Sequence, residues 1–234
     1  MENPTWQKWF ESIWSLREDH FLRTFFGDLG KGISTLSPQT FASLGIPNPD
    51  PRFLFHGIFE CPPSAKHPDW IYVSSGMSNP WGDSPNTVKT DSPSGLGYEF
   101  IVHSQEQARW PIQLLHWLMA VQLLVATGQV QGELLHPHDR VPLGGPLAKK
   151  EGLLTHLLVA SPADRGQNPE SIPADPTYPP AFVLPSGQVE FLLVLGITAK
   201  ESDFARTQGA DGLITLLRHH NVFPSTIPTR PGVV

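Results

Sequence analysis

Cysteine is almost absent from these 234 residues, where Cys61 stands alone. One thiol excludes an internal disulfide and any zinc site built from several thiolates. Charge is scarce too: Asp, Glu, Lys and Arg make up 16%, against ~25% in an ordinary soluble domain, which argues against long solvated helices and coiled coils. Lys and Arg number 16 against 22 Asp and Glu, a formal charge of −6. A chain so short of cations has little with which to neutralise phosphate, so nucleic acid is excluded as a partner. Long hydrophobic runs are also missing. The most apolar stretch, residues 111–127, carries Gln113, His116 and Gln122 and is too short and polar for a membrane span. The first residues lack the basic stretch and apolar run of a signal peptide. The expectation is a soluble cytoplasmic protein with no membrane partner.

Proline and glycine are what the chain has in quantity, 25 and 20 residues. They stay below the low-complexity range, and the length suffices for a substantial core, so proline-shaped loops around one large domain are expected. Trp6, Trp9, Phe10, Ile13 and Trp14, continued by Phe21 and Phe25, follow helical spacing and predict an amphipathic N-terminal helix ending near Gly27 or Gly30. After the stiff Ile46–Pro51 connector, the segments Arg52–Glu60, Asp69–Gly76 and Tyr98–His103 are apolar, aromatic and bounded by turn residues, hence strands. In the third, alternation puts Tyr98, Phe100 and Val102 on one face. Trp81–Gly97, rich in Gly, Pro, Ser, Asn and Asp, reads as a long loop. Trp110-Pro111 opens a helix that Gly128 stops. Leu153–Ala160 and Val189–Thr198 read as buried central strands, separated by a proline-rich loop from Ser161 to Pro180 and a hairpin from Phe182 into Val189. Ser202 or Asp203 is expected to cap a helix, and Asp211–Arg218 is helical. The whole reads as one α+β domain, residues 46–225, with a mixed central β-sheet flanked by helices; residues 1–45 form a helical extension packed on it and 226–234 a tail.

Catalytic patterns are missing. There is no Walker loop, no G-x-G-x-x-G after a strand, no H-E-x-x-H and no G-x-S-x-G. Cys61 reads as a buried or incidental cysteine rather than a nucleophile. His136, His138 and Asp139 make the one metal-like cluster, since imidazole and carboxylate suit zinc, iron or copper. Pro137 imposes an extended local geometry on it and no second cluster supplies further ligands, so a polar loop is the simpler reading and no cofactor or metal is expected.

Three collinear segments resemble the suppressor of fused family. They are Asp69–Asp83 (Asp-Trp-Ile-Tyr-Val-Ser-Ser-Gly-Met-Ser-Asn-Pro-Trp-Gly-Asp), Pro93–Phe100 (Pro-Ser-Gly-Leu-Gly-Tyr-Glu-Phe) followed by Trp110-Pro111, and Val189–Thr198 followed by Gly209 and Gly212–Arg218. The resemblance runs from about Phe53 to Arg218. It implies a mixed sheet with helices on its faces, and binding rather than catalysis. The animal member grips an extended peptide with the help of a second, C-terminal domain. This sequence ends soon after Arg218 and so reads as the stand-alone bacterial type, for which a role as an immunity protein against secreted toxins has been proposed. By the same resemblance, Trp81 before Gly82-Asp83 and Asp91 before Pro93-Ser94-Gly95 occupy places that contact the peptide, making Trp81, Asp83 and Asp91 candidate binding residues. Two readings of each stay open. Trp81 is an interface anchor or is folded onto its own domain; Asp91 contacts a ligand or braces its turn. The expected function is a non-enzymatic module that binds a polypeptide, as an immunity or adaptor protein. The alternatives are a metal-dependent hydrolase using His136, His138 and Asp139, and a structural dimer joined through the N-terminal helix.

Overall fold

The aromatic stripe at the N-terminus does form a helix, and its winding changes on the way. Helix α1 (Pro4–Ser15) runs into a π-helical segment (Leu16–Leu22) and then α2 (Arg23–Phe26), which stops at Gly27 with φ +79°. Ile13, Leu22 and Phe26 are buried along it. The computed structural model describes residues 4–82, 88–148, 152–166 and 180–234.

Strands β1 (Ser34–Thr35), β2 (Gly57–Cys61), β3 (Trp70–Ser75) and β4 (Pro93–Ser104) form an antiparallel meander. Strand β8 (Gly187–Thr198) then lies parallel to β4, with Phe100 opposite Leu192, and carries β6 (Leu154–Ala160) and β5 (Arg140–Pro142) antiparallel beyond it. The order is β1-β2-β3-β4-β8-β6-β5, while β7 (Ala181–Leu184) pairs with the start of β8 as a hairpin. This mixed sheet has a core on each face. On one, α4 (Trp110–Ala126) and α3 (Pro38–Ser43) cover Tyr98, Phe100 and Val102. On the other, the N-terminal helix with α5 (Ala199–Gln208) and α6 (Ala210–His219) covers Ile101, Phe191 and Leu195. The alternation expected from β4 is therefore present, with each face of the strand committed to a different core.

Several local readings are corrected. Residues 52–55 are not strand: Pro51–Phe55 is a 3₁₀ turn whose first residues are held by the Asp50 carboxylate, which accepts from the Arg52 backbone N–H at 2.9 Å. Strand β4 begins at Pro93, inside what reads as a loop, because its first residues pair with Gln188 of β8. Neither Ser202 nor Asp203 caps α5. Thr198 does, through a capping box in which its hydroxyl accepts from the Glu201 N–H at 3.1 Å and the Glu201 carboxylate accepts from the Thr198 N–H at 2.7 Å. Strands β1 and β5 and helix α3 are additions, each too short to carry a periodic pattern. Most of the Ser161–Pro180 loop, residues 167–179, lies outside the described residues. Among the described residues no helix is long and apolar enough to cross a membrane.

Candidate functional site

The turn after β3 is built around a buried carboxylate. Glu99, at 0% exposure, accepts from the hydroxyls of Ser74 (2.5 Å) and Ser78 (2.6 Å) and from the backbone N–H groups of Gly76 (3.0 Å) and Ser78 (3.1 Å). Arg17, also 0% exposed, reaches in from the π-helical segment and stands 3.9 Å from that carboxylate. Its guanidinium donates to Ser75 Oγ (3.0 Å), Ser78 Oγ (3.2 Å) and Asn79 Oδ1 (2.7 Å). Two charges this deep are tolerable because they face each other and because Glu99 accepts four hydrogen bonds and Arg17 donates three, through Nε and Nη1. The Ser74–Asn79 stretch thus ties the N-terminal helix to the sheet and fixes the chain that leads to Trp81.

Next to this network His56, 1% exposed, directs Nδ1 at the Phe53 carbonyl (3.2 Å). Burial, and then the nearby Arg17 charge, push its pKa down to about 4, so the ring is neutral. Trp81 lies beyond it, among aromatic rings. Phe10 and Trp6 of α1 sit 4.4 Å and 6.0 Å from its ring centre, Phe55 at 6.2 Å, and the Arg52 guanidinium is 5.9 Å above it. Trp81 is half-buried and folded against its own chain, and its indole N–H is buried with no hydrogen-bond partner among the described residues.

Asp91 stands at the same end of the sheet, exposed, accepting from the Thr90 hydroxyl at 3.2 Å. It opens a cleft of about 260 Å³ whose lining includes Leu96, Tyr98, Leu192, His136 and Glu190. Ser94 pins the cleft to the Trp81 turn, donating to the Ser78 carbonyl at 2.7 Å and meeting the Ser186 hydroxyl at 2.6 Å. Asp83 lies outside the described residues. Trp81 and Asp91 therefore flank one end of the sheet without sharing a pocket. Arg52, Phe55 and Glu190 join them from distant parts of the chain, and no spacing in the sequence links these residues.

The His136, His138 and Asp139 cluster is not assembled as a metal site. Asp139 Oδ2 accepts from the His136 backbone N–H (2.8 Å), the His136 residue lines the Asp91 cleft, and His138 Nε2 stands 3.5 Å from Asp164 and 3.6 Å from Asp211. Among the described residues no group of three or more His, Cys, Asp or Glu is placed to hold a metal. Cys61 is fully buried, and burial, with Asp28 and Glu60 nearby, pushes its thiol up to about 12, far from a reactive thiolate. The aromatic face of α1 that suggested a dimer is spent on Trp81 and Phe55 of the same chain.

Comparison with known proteins places these features. The human suppressor of fused homolog is 27% identical over 165 residues, covering 67% of this chain and 30% of that protein, and the mouse homolog gives the same figures. The chain thus spans under a third of the length of these curated relatives. Among solved structures, one from the Sufu–Fu complex matches with TM-score 0.55 at 19% identity, covering 83% of this chain and 88% of that one. Drosophila suppressor of fused gives 0.55 at 18%, over 84% and 50%. A suppressor of fused homolog from Neisseria gonorrhoeae gives 0.52 at 17%, over 97% and 96%. At these identities the structures speak for the fold. The family model described as suppressor of fused protein (SUFU) matches residues 56–231. Its span takes in β2 through β8, the buried Glu99 under the Ser-Ser-Gly turn and the last two helices, and the chain belongs to the suppressor of fused family.

Proposed function

We propose that this chain binds a polypeptide partner at the end of the sheet that carries Trp81 and Asp91, with Asp83 as a further candidate contact, without making or breaking covalent bonds, in the role of an immunity or adaptor protein. The cleft beside Asp91 carries the reading. Two exposed acids, Asp91 and Glu190, stand over an apolar floor of Leu96, Tyr98 and Leu192. That combination suits a lysine or arginine side chain, whose methylene stem takes the floor and whose cation meets the carboxylates. The net charge of −6 favours the approach of a basic partner. The Sufu–Fu complex supports the reading by family, since that relative assembles with another protein.

The test starts from a partner captured from the native host and measures its affinity for the wild type and for Asp91→Ala. A cation held by Asp91 predicts at least a tenfold loss and a weaker dependence of affinity on salt. Trp81→Ala is expected to cost about 2 kcal/mol as a contact desolvated on binding. Full affinity in both variants rejects this end of the sheet as the docking surface.

A further inference from the structure

The far end of β4 holds a second cavity, of about 250 Å³, at Ser104. Pro93, at the start of the same strand, lines the Asp91 cleft, and the strand's rise of ~3.3 Å per residue puts the two sites roughly 36 Å apart. One wall of the cavity is the segment that leads into α4. There the Ser104 hydroxyl donates to the Glu106 carbonyl at 2.8 Å, and the Ala108 N–H donates to the Tyr72 hydroxyl at 2.8 Å. The other wall is the chain after α6. Its Thr226 N–H donates to the His103 carbonyl (2.9 Å), the Thr226 hydroxyl oxygen accepts from the Gly196 N–H (2.9 Å), and the Ser225 hydroxyl donates to the Asp69 carboxylate. Both walls are tied to the sheet, so the cavity is formed before any ligand arrives.

The lining divides by chemistry. Trp110, Ile227 and Pro228 supply apolar surface, and Gln105, Glu106 and Thr226 supply polar groups. Those polar groups are uncommitted among the described residues. The Glu106 carboxylate has no hydrogen bond or ion pair, the Gln105 amide has no hydrogen bond, and the Thr226 hydroxyl still has its proton to donate. Glu106 is the one charged side chain among the described lining residues, since the exposed Arg109 beside Trp110 is not part of the lining. An anion is turned away from such a cavity, and a cation is attracted both by Glu106 and by the net charge of −6. Tryptophan adds to that attraction, because the face of its ring is the negative end of a quadrupole.

We propose that this cavity binds a small organic ammonium ion, with its alkyl groups against Trp110 and its charge held by Glu106. The alkyl groups matter for a physical reason. A bare metal cation needs several oxygen ligands to replace its water, and one carboxylate does not supply them. An alkylated ammonium gives up little hydration, lays its apolar shell on Trp110, Ile227 and Pro228, and still meets the carboxylate. The volume lies below the ~300–1,000 Å³ that drug-sized ligands occupy, which limits the ion to a few heavy atoms. Gln105 and Thr226 remain for a polar substituent such as a hydroxyl. The site stands apart from the polypeptide-binding surface and does not depend on it.

The probes are choline and its uncharged carbon analogue 3,3-dimethylbutan-1-ol, titrated against the full chain by ligand-observed NMR. Choline is expected to bind at least fivefold more tightly than the alcohol. Glu106→Gln is expected to weaken choline at least fivefold and to leave the alcohol within twofold, while Trp110→Leu weakens both. Asp91→Ala is expected to leave choline binding unchanged, because the acidic cleft lies at the other end of β4. The proposal is overturned by no choline binding at ~20 mM, by equal affinity for the two compounds, or by loss of choline binding in Asp91→Ala. It is equally overturned if Glu106→Gln or Trp110→Leu, folded by circular dichroism, binds choline as the wild type does. Glu106 is exposed and its variant keeps the side chain's shape, so should Trp110→Leu fail to fold, Glu106→Gln decides alone. A negative result leaves the polypeptide-binding reading standing, since that reading is tested on the affinity of a captured partner for Asp91→Ala.

Discussion

Arg17 shows how much of this protein is decided by single side chains. It is the largest side chain with no exposure, and without it the Glu99 carboxylate, the Ser-Ser-Gly turn and the His56 ring would lose their common partner. The same guanidinium helps keep His56 neutral, and that has a measurable consequence. The ring's pKa in the folded chain is about 4, against 6.5 when unperturbed. Between those values the unfolded chain binds a proton that the folded chain refuses. The contribution is therefore complete above pH 6.5 and is lost as pH falls toward 4. Urea unfolding at pH 7.5 and pH 4.5 is expected to differ by roughly 2–3 kcal/mol from this group, and His56→Gln should flatten the dependence. The role of Arg17 had a trace in the sequence: it falls four residues after Ile13, on the buried stripe of the helix. Set among Glu18 and Asp19, it reads as one more solvated charge, because pairing with Glu99 spans more than eighty residues and leaves no local pattern.

At the scale of elements, the Pro93–Gly97 run that marks the family is a packing device. Gly95 has φ +57°, and a Cβ there would come within 2.6–2.7 Å of backbone atoms of Met77, Ser78 and Asn79. Gly128, with φ +70°, has nothing within 4 Å of the same position. Gly128→Ala should therefore cost only the left-handed backbone strain, about 1 kcal/mol, whereas Gly95→Ala must also push the turn at residues 77–79 away from β4 and should cost ~3 kcal/mol or more. Chemical denaturation of the two variants compares them directly. Apolar runs bounded by turn residues identified α4, β3, β6 and β8, and alternation identified the later part of β4. The same composition misleads at residues 52–55, which are apolar and aromatic like a strand. There the Asp50 cap and Pro51 select a tight turn, and Phe53 is buried while Phe55 points outward. The α5 start was misplaced because Thr198 serves both as the last residue of β8 and as the cap of the next helix.

Across the whole molecule, the segments near both ends of the described chain are held by a buried ion pair, the first to strand β4 and the second to the start of helix α5. The first is Arg17 with Glu99. The second is Arg230 with Glu201, with guanidinium nitrogens 2.6 Å and 2.8 Å from the two carboxylate oxygens. Burial alone would raise the Glu201 carboxyl, but Arg230 and the N–H groups of Thr198 and Val233 outweigh it and hold the group below the usual range. Arg230→Met leaves that carboxylate alone in the interior, and a destabilisation of about 3–5 kcal/mol is expected by calorimetry, with unfolding still a single transition. The site was legible in the sequence only through the family segments, which mark Trp81 and Asp91. Which rings cover the tryptophan and which acid shares the cleft depend on strands far apart in the chain. The parallel pairing of β4 with β8 sets a further condition on how the molecule comes into being. Eighty-two residues separate the end of one strand, Ser104, from the start of the other, Gly187. On a ribosome, a nascent chain halted short of Gly187 has the β8-facing edges of both β4 and β6 unpartnered, open to any neighbouring polypeptide. Expression conditions that slow synthesis across that interval should raise the insoluble fraction.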